Sequence, residues 1–299
     1  MNVHRQSFLG VDSDRVLSEV NIAVIGLGGG GSHIIQQLAH LGVRRFMLVD
    51  PDTYDETNGN RLIGARATDV VLLPPKIDIG RRTILSINPN ADIRAYQSTW
   101  QEVSSDLMGC DVIVGCVDSV RARDELDRFA RRFLIPYIDI GMDVHETGSG
   151  FLIAGQVAVS ITGGPCLRCM GIVTDAQIEV EDRQYGAAGG RPQVVWPNGV
   201  LASIAVGQAI QLVTPWHKSG RVVPLLEYDG NTQSVSPSAR LAHVAKGCRH
   251  NLDESLGDPG FDIRKALQGP RVADAKPSWF ARILDFITRQ RWWAGRVNQ

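Results

Sequence analysis

Five glycines fall within seven residues at Gly26-Leu-Gly-Gly-Gly-Gly-Ser32, where the apolar run Asn21–Gly26 (NIAVIG) meets a helically spaced segment ending at about Leu41. No other feature restricts the fold as strongly. A buried strand turns sharply into a helix there, and glycine lets the backbone approach whatever occupies the turn. The start of the helix offers unpaired N–H groups and a positive dipole end, which suits phosphate. Phe46–Asp50 (FMLVD) reads as the next strand. Asp50 ends it, where a carboxylate can accept hydrogen bonds from ribose hydroxyls. These two features fit an NAD-dependent oxidoreductase as well as an ATP enzyme, and taken alone they favour NAD.

Further apolar runs alternate with helical patterns. A helix is expected from about Pro75 to Ile87, strands at Ile93–Gln97 and Asp111–Cys116, a helix over Arg121–Phe133 and a strand at Pro136–Ile140. Such a sequence predicts an α/β fold with a Rossmann-like, mostly parallel sheet and helices on both faces. The second half predicts antiparallel additions to that sheet. Gly150–Ile161 reads as two strands broken at Gly155. Val222–Tyr228 and Thr232–Val235 read as a hairpin around Asp229–Gly230. Asn198–Val213 reads as a buried helix with Asn198 as its cap. Thr174–Gln193 is polar and glycine-rich, and is expected to be a mobile loop crossing the active face.

With 299 residues, 43% of them hydrophobic, the chain can bury a substantial core. A formal charge of −1 gives no global field for nucleic acid or anionic membrane. The N-terminus has no apolar stretch of the kind found in signal peptides, and the longest apolar segment, Gly199–Val213, is too short to span a bilayer. A cytoplasmic protein is expected.

Beyond Asp50 the chain reads DPDTYDETNGNR. This resembles the pattern D-x-D-x-(V/Y)-x-x-x-N-x-x-R of the ThiF/MoeB/HesA family of ubiquitin-activating-like adenylyltransferases, through Asp50, Asp52, Asn58 and Arg61. Further likenesses follow in family order. His4-Arg5-Gln6 resembles its N-terminal R-Q, and Lys76 lies ahead of an I-N-P element. Cys116–Arg123 resembles C-x-D-N-x-x-x-R with Ser119 in place of asparagine. Pro165–Gly171 resembles P-C-x-x-C-x-G, and Trp196–Gly199 resembles a late N-G element. The resemblance runs from Arg5 to His250.

The resemblance implies activation of a carboxylate by ATP and Mg²⁺ to give an acyl-adenylate and pyrophosphate. It implies that Gly26, Gly28, Gly29 and Gly31 line the phosphate turn and that Asp50 holds the ribose. Arg61 and Lys76 would contact phosphates, Asn58 would orient a phosphate oxygen, and Asp118 would hold Mg²⁺. Arg5 would act as an arginine finger across a homodimer interface. Asp52 reads equally as a cofactor-binding residue of this site and as a turn residue, and the others also admit plainer readings: Arg5, Arg61 and Lys76 as solvated charges, Asp50 as a strand-end cap. Arg123 is expected to brace Asp118 or its own helix.

Cys166-Leu-Arg-Cys169 has the spacing of a zinc knuckle. Where the family carries a second C-x-x-C, this chain has Cys248 and His250, so a structural Zn²⁺ is expected on Cys166, Cys169, Cys248 and His250, with His243 as a substitute ligand. A reduced thiol pair is the alternative. Cys110 and Cys116 read as core residues. No cysteine lies between Met170 and Gly247, where thioester-forming relatives carry theirs, so the acyl group is expected to pass to a partner's thiol or sulfur donor, to a hydroxyl such as that of Thr174, or to remain as the adenylate.

The expected organisation is an adenylation domain over 1–252, with a nucleotide half to about 145 and a substrate, crossing-loop and zinc half over 146–252. A linker over 253–275 and an amphipathic, basic helix over 276–299 follow. The implied partner is a ubiquitin-like or sulfur-carrier protein with a Gly-Gly tail, with a conjugating enzyme or sulfur donor downstream. The alternatives are activation of a small carboxylate on tRNA and a non-catalytic nucleotide-binding scaffold.

Overall fold

Eight strands form one sheet in the order β3-β2-β1-β4-β5-β6-β7-β8. The computed structural model describes residues 4–183, 192–217, 222–245, 247–251 and 257. The strands are β1 (Asn21–Ile25), β2 (Arg45–Val49), β3 (Asp92–Tyr96), β4 (Val112–Gly115), β5 (Tyr137–Glu146), β6 (Phe151–Ser160), β7 (Leu225–Asp229) and β8 (Ser234–Pro237). The helices are α1 (Ser13–Glu19), α2 (Gly29–Leu41), α3 (Asp69–Leu72), α4 (Lys76–Ile87), α5 (Ser104–Leu107), α6 (Val120–Arg132), α7 (Asp175–Arg183) and α8 (Val195–Val213).

The first five strands run parallel, and β6, β7 and β8 each pair antiparallel with the strand before. Residues of both parities are buried in the central strands: Ile22, Val24, Phe46, Leu48, Val112 and Val114 join the main core with α2, α4 and α8, while Ala23, Met47 and Ile113 are buried on the other face. That explains the near-continuous apolar runs, since a parallel strand is covered by helices on both faces. Strand order reverses between β1 and β4, which opens a crevice at the carboxyl ends of the strands.

Four sequence expectations are corrected. Phe151–Ser160 is one strand, not two. Gly155 stays in the ladder opposite Met142 and Tyr228, and its missing side chain admits Leu201 of α8, whose Cδ1 would lie 2.5 Å from a Cβ there. The glycine records close packing of a helix on the strand. Likewise β5 continues to Glu146, because ten consecutive residues pair with β6 and the ladder carries the polar end. Asn198 is the fourth residue of α8 and not its cap. Its Nδ2 donates to the Val194 carbonyl at 2.9 Å. Pro197 is tolerated in that first turn because no N–H is needed there. Finally, the segment expected to be a loop from Thr174 begins with helix α7. The Thr174 hydroxyl accepts the Gln177 N–H at 3.3 Å and thereby caps that helix, which is a structural use of the hydroxyl weighed as an acyl acceptor.

The hairpin is present. Asp229 Oδ1 accepts the Asn231 and Thr232 N–H groups, which turns the chain between β7 and β8. Residues Met1–Phe261 form one contact unit and Asp262–Gln299 a second. The expected linker, apart from residue 257, and the expected C-terminal helix lie outside the described residues, as do 184–191 of the crossing segment. No helix among the described residues is long and apolar enough to cross a membrane.

Candidate active site

A cleft of about 430 Å³ opens at the carboxyl ends of the parallel strands. The lining comes from Gly26 and Gly28–Gly30 after β1, Asp50–Asp52 after β2, Ser98–Gln101 after β3, Cys116–Ser119 after β4, and Ile140–Met142 within β5. Arg61, Lys76, Arg123, Gln193 and Asn198 complete the wall.

The glycine turn is built to admit a ligand at the start of α2. Gly26 has φ +88°, and a Cβ there would lie 2.6 Å from the Cys116 carbonyl oxygen. A Cβ on Gly31 would lie 1.9 Å from the carbonyl oxygen of Gly26, so α2 starts almost against the strand end. Gly28 precedes α2 without any side-chain cap. The first N–H groups of the helix therefore face the cleft without intrahelical partners. Gly31 itself lies behind the cleft wall; of the sequence-predicted glycines, Gly26, Gly28 and Gly29 line it.

Asp50 is buried at the end of β2. Its Oδ2 accepts the Leu27 N–H at 2.6 Å and its Oδ1 accepts the Asp52 N–H at 2.8 Å. Burial raises its pKa above the ordinary carboxylate range, opposed by Lys76 and those two N–H groups. The carboxylate thus holds the glycine turn at a fixed distance from β2 and keeps lone pairs on the cleft side.

The two cations arrive on the segment between β2 and α4. Arg82 makes a fork to the buried Asp69, with distances of 3.1 and 2.7 Å, and also donates to the Gly64 carbonyl at 2.9 Å. The Ser32 hydroxyl accepts the Ile63 N–H at 3.0 Å, which ties the segment to α2. Arg61 Nη1 donates to the Thr57 carbonyl at 2.6 Å and to Asn60 Oδ1 at 3.0 Å. Lys76 sits at the start of α4, and its Nζ lies 2.7 Å from Asp52 Oδ2. Lys76 is 13% exposed and Asp52 62%, so Asp52 is the solvent-side partner that holds the ammonium in place.

Asp118 lies just past β4, exposed on the cleft wall, without a hydrogen bond or ion pair to any described residue. Ser119 caps α6 by accepting the Ala122 N–H at 3.1 Å. Serine does this as well as asparagine, so the departure from the family pattern leaves the helix start intact. Arg123 does not brace Asp118. It donates to the carbonyls of Val117 and Ile140 and to Asp139 Oδ2, each at 3.1–3.2 Å. Tyr137 donates to the other oxygen of Asp139 at 3.0 Å. This network joins the carboxyl end of β4 to the first half of β5 at the cleft wall.

The chain matches the ThiF family over residues 2–250. It belongs to the ThiF family. The molybdopterin-synthase adenylyltransferase of Escherichia coli is 26% identical over 220 residues, covering 71% of this chain and 81% of that protein. The ubiquitin-like modifier-activating enzyme 5 of Oryza sativa is 26% identical over 258 residues, covering 79% of this chain and 58% of that protein. This chain therefore spans little more than half of the rice protein. The crystal structure of E. coli MccB with ATP superposes with a TM-score of 0.63 at 17% identity, covering 79% of this chain and 69% of that one. At that identity the likeness establishes the fold.

Two residues of the ThiF pattern stand off the cleft wall. Asn58 is buried, and its Oδ1 accepts the Asp55 N–H at 3.3 Å. Its carbonyl accepts the N–H groups of Arg61 and Leu62, so it shapes the turn that carries Arg61. Arg5 is exposed on the 3₁₀ turn His4–Leu9 and does not line this cleft. Conversely, the ThiF cleft includes Thr99–Gln101, which the sequence reading passed over. Their position after a parallel strand was the available signal, since such loops gather around the ligand. Gln101 is held by Glu125 at 2.8 Å.

Cys166, Cys169, Cys248 and His250 come together with their ligand atoms within 4.8 Å of one another. His250 Nδ1 lies 3.4 Å from Cys166 Sγ and 3.3 Å from Cys169 Sγ, and the two sulfurs are 3.5 Å apart. His243 is not part of the cluster. Burial pushes the Cys248 thiol up, but N–H groups of His250 and Asn251 and the neighbouring thiols outweigh it and bring its pKa down to about 6. A thiolate, two further thiols and an imidazole suit tetrahedral Zn²⁺. Cys110 is buried, with a pKa raised to about 11 by desolvation, and Cys116 lines the cleft floor with its thiol held neutral for the same reason.

Chelation supplies a test. Removing metal from purified protein is expected to release about one Zn²⁺ per chain and to lower thermal stability. Cys169→Ser should remove that zinc, because a serine hydroxyl is a poor zinc ligand at neutral pH. Metal analysis showing no zinc in protein prepared without chelator would eliminate the site.

Proposed function

We propose that this chain uses ATP and Mg²⁺ to adenylate a carboxylate, releasing pyrophosphate, and that the carboxylate is the C-terminus of a ubiquitin-like or sulfur-carrier protein with a Gly-Gly tail. One observation carries the reading: an uncapped helix start, two cations and an aspartate with no partner among the described residues converge on one cleft. A dinucleotide oxidoreductase needs the helix start and Asp50 but has no use for Arg61, Lys76 and Asp118 together. The E. coli relative, an adenylyltransferase, and the rice relative, a ubiquitin-like modifier-activating enzyme, support adenylation and a protein substrate.

In this reading the triphosphate lies along the start of α2, where N–H groups and the dipole favour anions. Asp50 accepts hydrogen bonds from the ribose. Arg61 and Lys76 neutralise phosphate oxygens, which lets a second anion, the acyl carboxylate, approach the α-phosphorus in line. Asp118 would hold Mg²⁺, which when bound draws charge from the leaving pyrophosphate. The carboxylate oxygen forms a bond to the α-phosphorus as the bond to the bridging oxygen of pyrophosphate breaks. Arg5 acts on the cleft of a second copy in a homodimer. With no cysteine between Met170 and Gly247, the acyl group passes from the adenylate to a partner's thiol or sulfur donor.

Isothermal calorimetry decides the nucleotide. Heat on adding ATP with Mg²⁺, and none on adding NAD, is the expected result; the reverse would overturn the reading. ATP–pyrophosphate exchange that requires a Gly-Gly-tailed protein then separates this substrate from a carboxylate on tRNA.

A further inference from the structure

Helix α7 lies beside the rim of the cleft and has an unusual attachment. None of its nine residues is fully buried: of its two large aliphatic side chains, Ile178 is half-buried and Val180 is 49% exposed. A nine-residue helix is too short to persist alone in water. Something other than apolar burial holds it.

Hydrogen bonds and ion pairs tie the helix down at both ends. Glu181 accepts the backbone N–H of Val120 at 3.1 Å through Oε1 and that of Arg121 at 2.9 Å through Oε2. Arg121 pairs with Asp182 at 2.5 Å. At the start of α7, Arg168 pairs with Asp175 at 2.7 Å while it also forks to Asp124 of α6. Val120 and Arg121 are the first residues of α6, two and three positions beyond Asp118. On the other side of the crossing segment, Asn60 donates to the Gln193 carbonyl at 2.9 Å, and Gln193 lines the cleft beside Arg61.

We propose that Glu181 is a latch: its carboxylate on the start of α6 holds α7 at the Asp118 side of the cleft, and its release uncovers that side for the acyl substrate. Three physical facts support a latch over a permanent joint. Exposed ion pairs hold weakly and are screened by salt. A carboxylate on a helix start is a favourable but local arrangement, limited to the first turn. With no side chain of α7 fully buried, little apolar area opposes release. The part of the proposal that concerns the acyl substrate rests on the adenylation reading; the latch itself does not.

Residue-resolved amide hydrogen exchange tests it. The Val120 and Arg121 amides have no intrahelical acceptor, so Glu181 is their protector. The neighbouring Ala122 amide is held by Ser119 and is the internal control. In Glu181→Ala, and in Glu181→Gln to a smaller degree, exchange at Val120, Arg121 and residues 175–183 should rise on the order of tenfold with Ala122 unchanged. Wild-type protein in about 1 M salt, where the screening length is ~3 Å, should move toward the variant. Equal exchange at Val120 and Arg121 in the variant and the wild type would overturn the latch, as would an equal rise at Ala122. In pyrophosphate exchange with a Gly-Gly-tailed protein, Glu181→Ala should lower KM for that protein and leave KM for ATP unchanged; a change confined to ATP overturns the proposed role in access. Absence of pyrophosphate exchange in the wild type would count against adenylation, and amide exchange would still judge the latch.

Discussion

Asp118→Ala is expected to reduce ATP–pyrophosphate exchange by about a hundred- to thousandfold, which corresponds to roughly 3–4 kcal/mol of transition-state stabilisation. The fold should not notice. The side chain is exposed and bonds to no described residue, so thermal stability should stay within about 0.5 kcal/mol of wild type. In the proposed function this side chain, which has no partner among the described residues, holds Mg²⁺ in a cleft that also carries Arg61 and Lys76. Undiminished exchange in the variant would remove Asp118 from the chemistry. The same variant tests the placement of Arg5. An Arg5→Ala chain should also be inactive, and mixing the two should restore activity, because one cleft of each mixed dimer would hold wild-type Asp118 and receive wild-type Arg5. No recovery on mixing would confine each cleft to residues of its own chain.

Gly31→Ala is expected to do the opposite: it should damage the fold before any chemistry is measured. A Cβ at Gly31 would lie 1.9 Å from the Gly26 carbonyl oxygen and 3.0 Å from its carbon. Both are backbone atoms at the end of a central strand and cannot swing aside. The cost should reach about 3 kcal/mol, at the top of the usual range for overpacking. That lowers the melting temperature by roughly 6–12 °C in a domain of this size. Gly28→Ala is the informative contrast, since nothing lies within 4 Å of a Cβ there. Its stability should be near wild type, but the new methyl would project into the cleft and weaken ATP uptake measured by calorimetry. If both variants melt alike, the glycines of this turn do not divide into one that packs and one that admits ligand.

Much of this site was legible because the signals are local. A strand, a glycine turn and a helix follow one another in the chain, so the uncapped helix start at the cleft could be read directly. Apolar runs without alternation announced strands covered on both faces. The knuckle Cys166–Cys169 is likewise a local spacing. The family pattern then supplied Arg61, Lys76 and Asp118, whose residue types alone are those of ordinary surface charges.

What remained hidden depends on neighbours distant in sequence. Gly155 looked like a break because a lone glycine in an apolar run carries no mark of the helix packed on it; Leu201 supplies the reason. The continuation of β5 through polar residues to Glu146 exists because β6 pairs with it. Asn58 and Asn198 were assigned by pattern, and their hydrogen bonds to Asp55 and Val194 settle what each does locally. Arg123 turned to Asp139 because β5 lies alongside β4, which no spacing along the chain reveals. By itself the sequence determined the type of each layer, the glycine turn that opens onto the cleft and the residues able to carry charge there. Only the tertiary structure decided which of those charges share a cleft, which are already paired and which, like Asp118, have no partner among the described residues. The physical reason is that periodicity and glycine turns act over a few residues, whereas pairing and desolvation depend on groups brought together across the whole sheet.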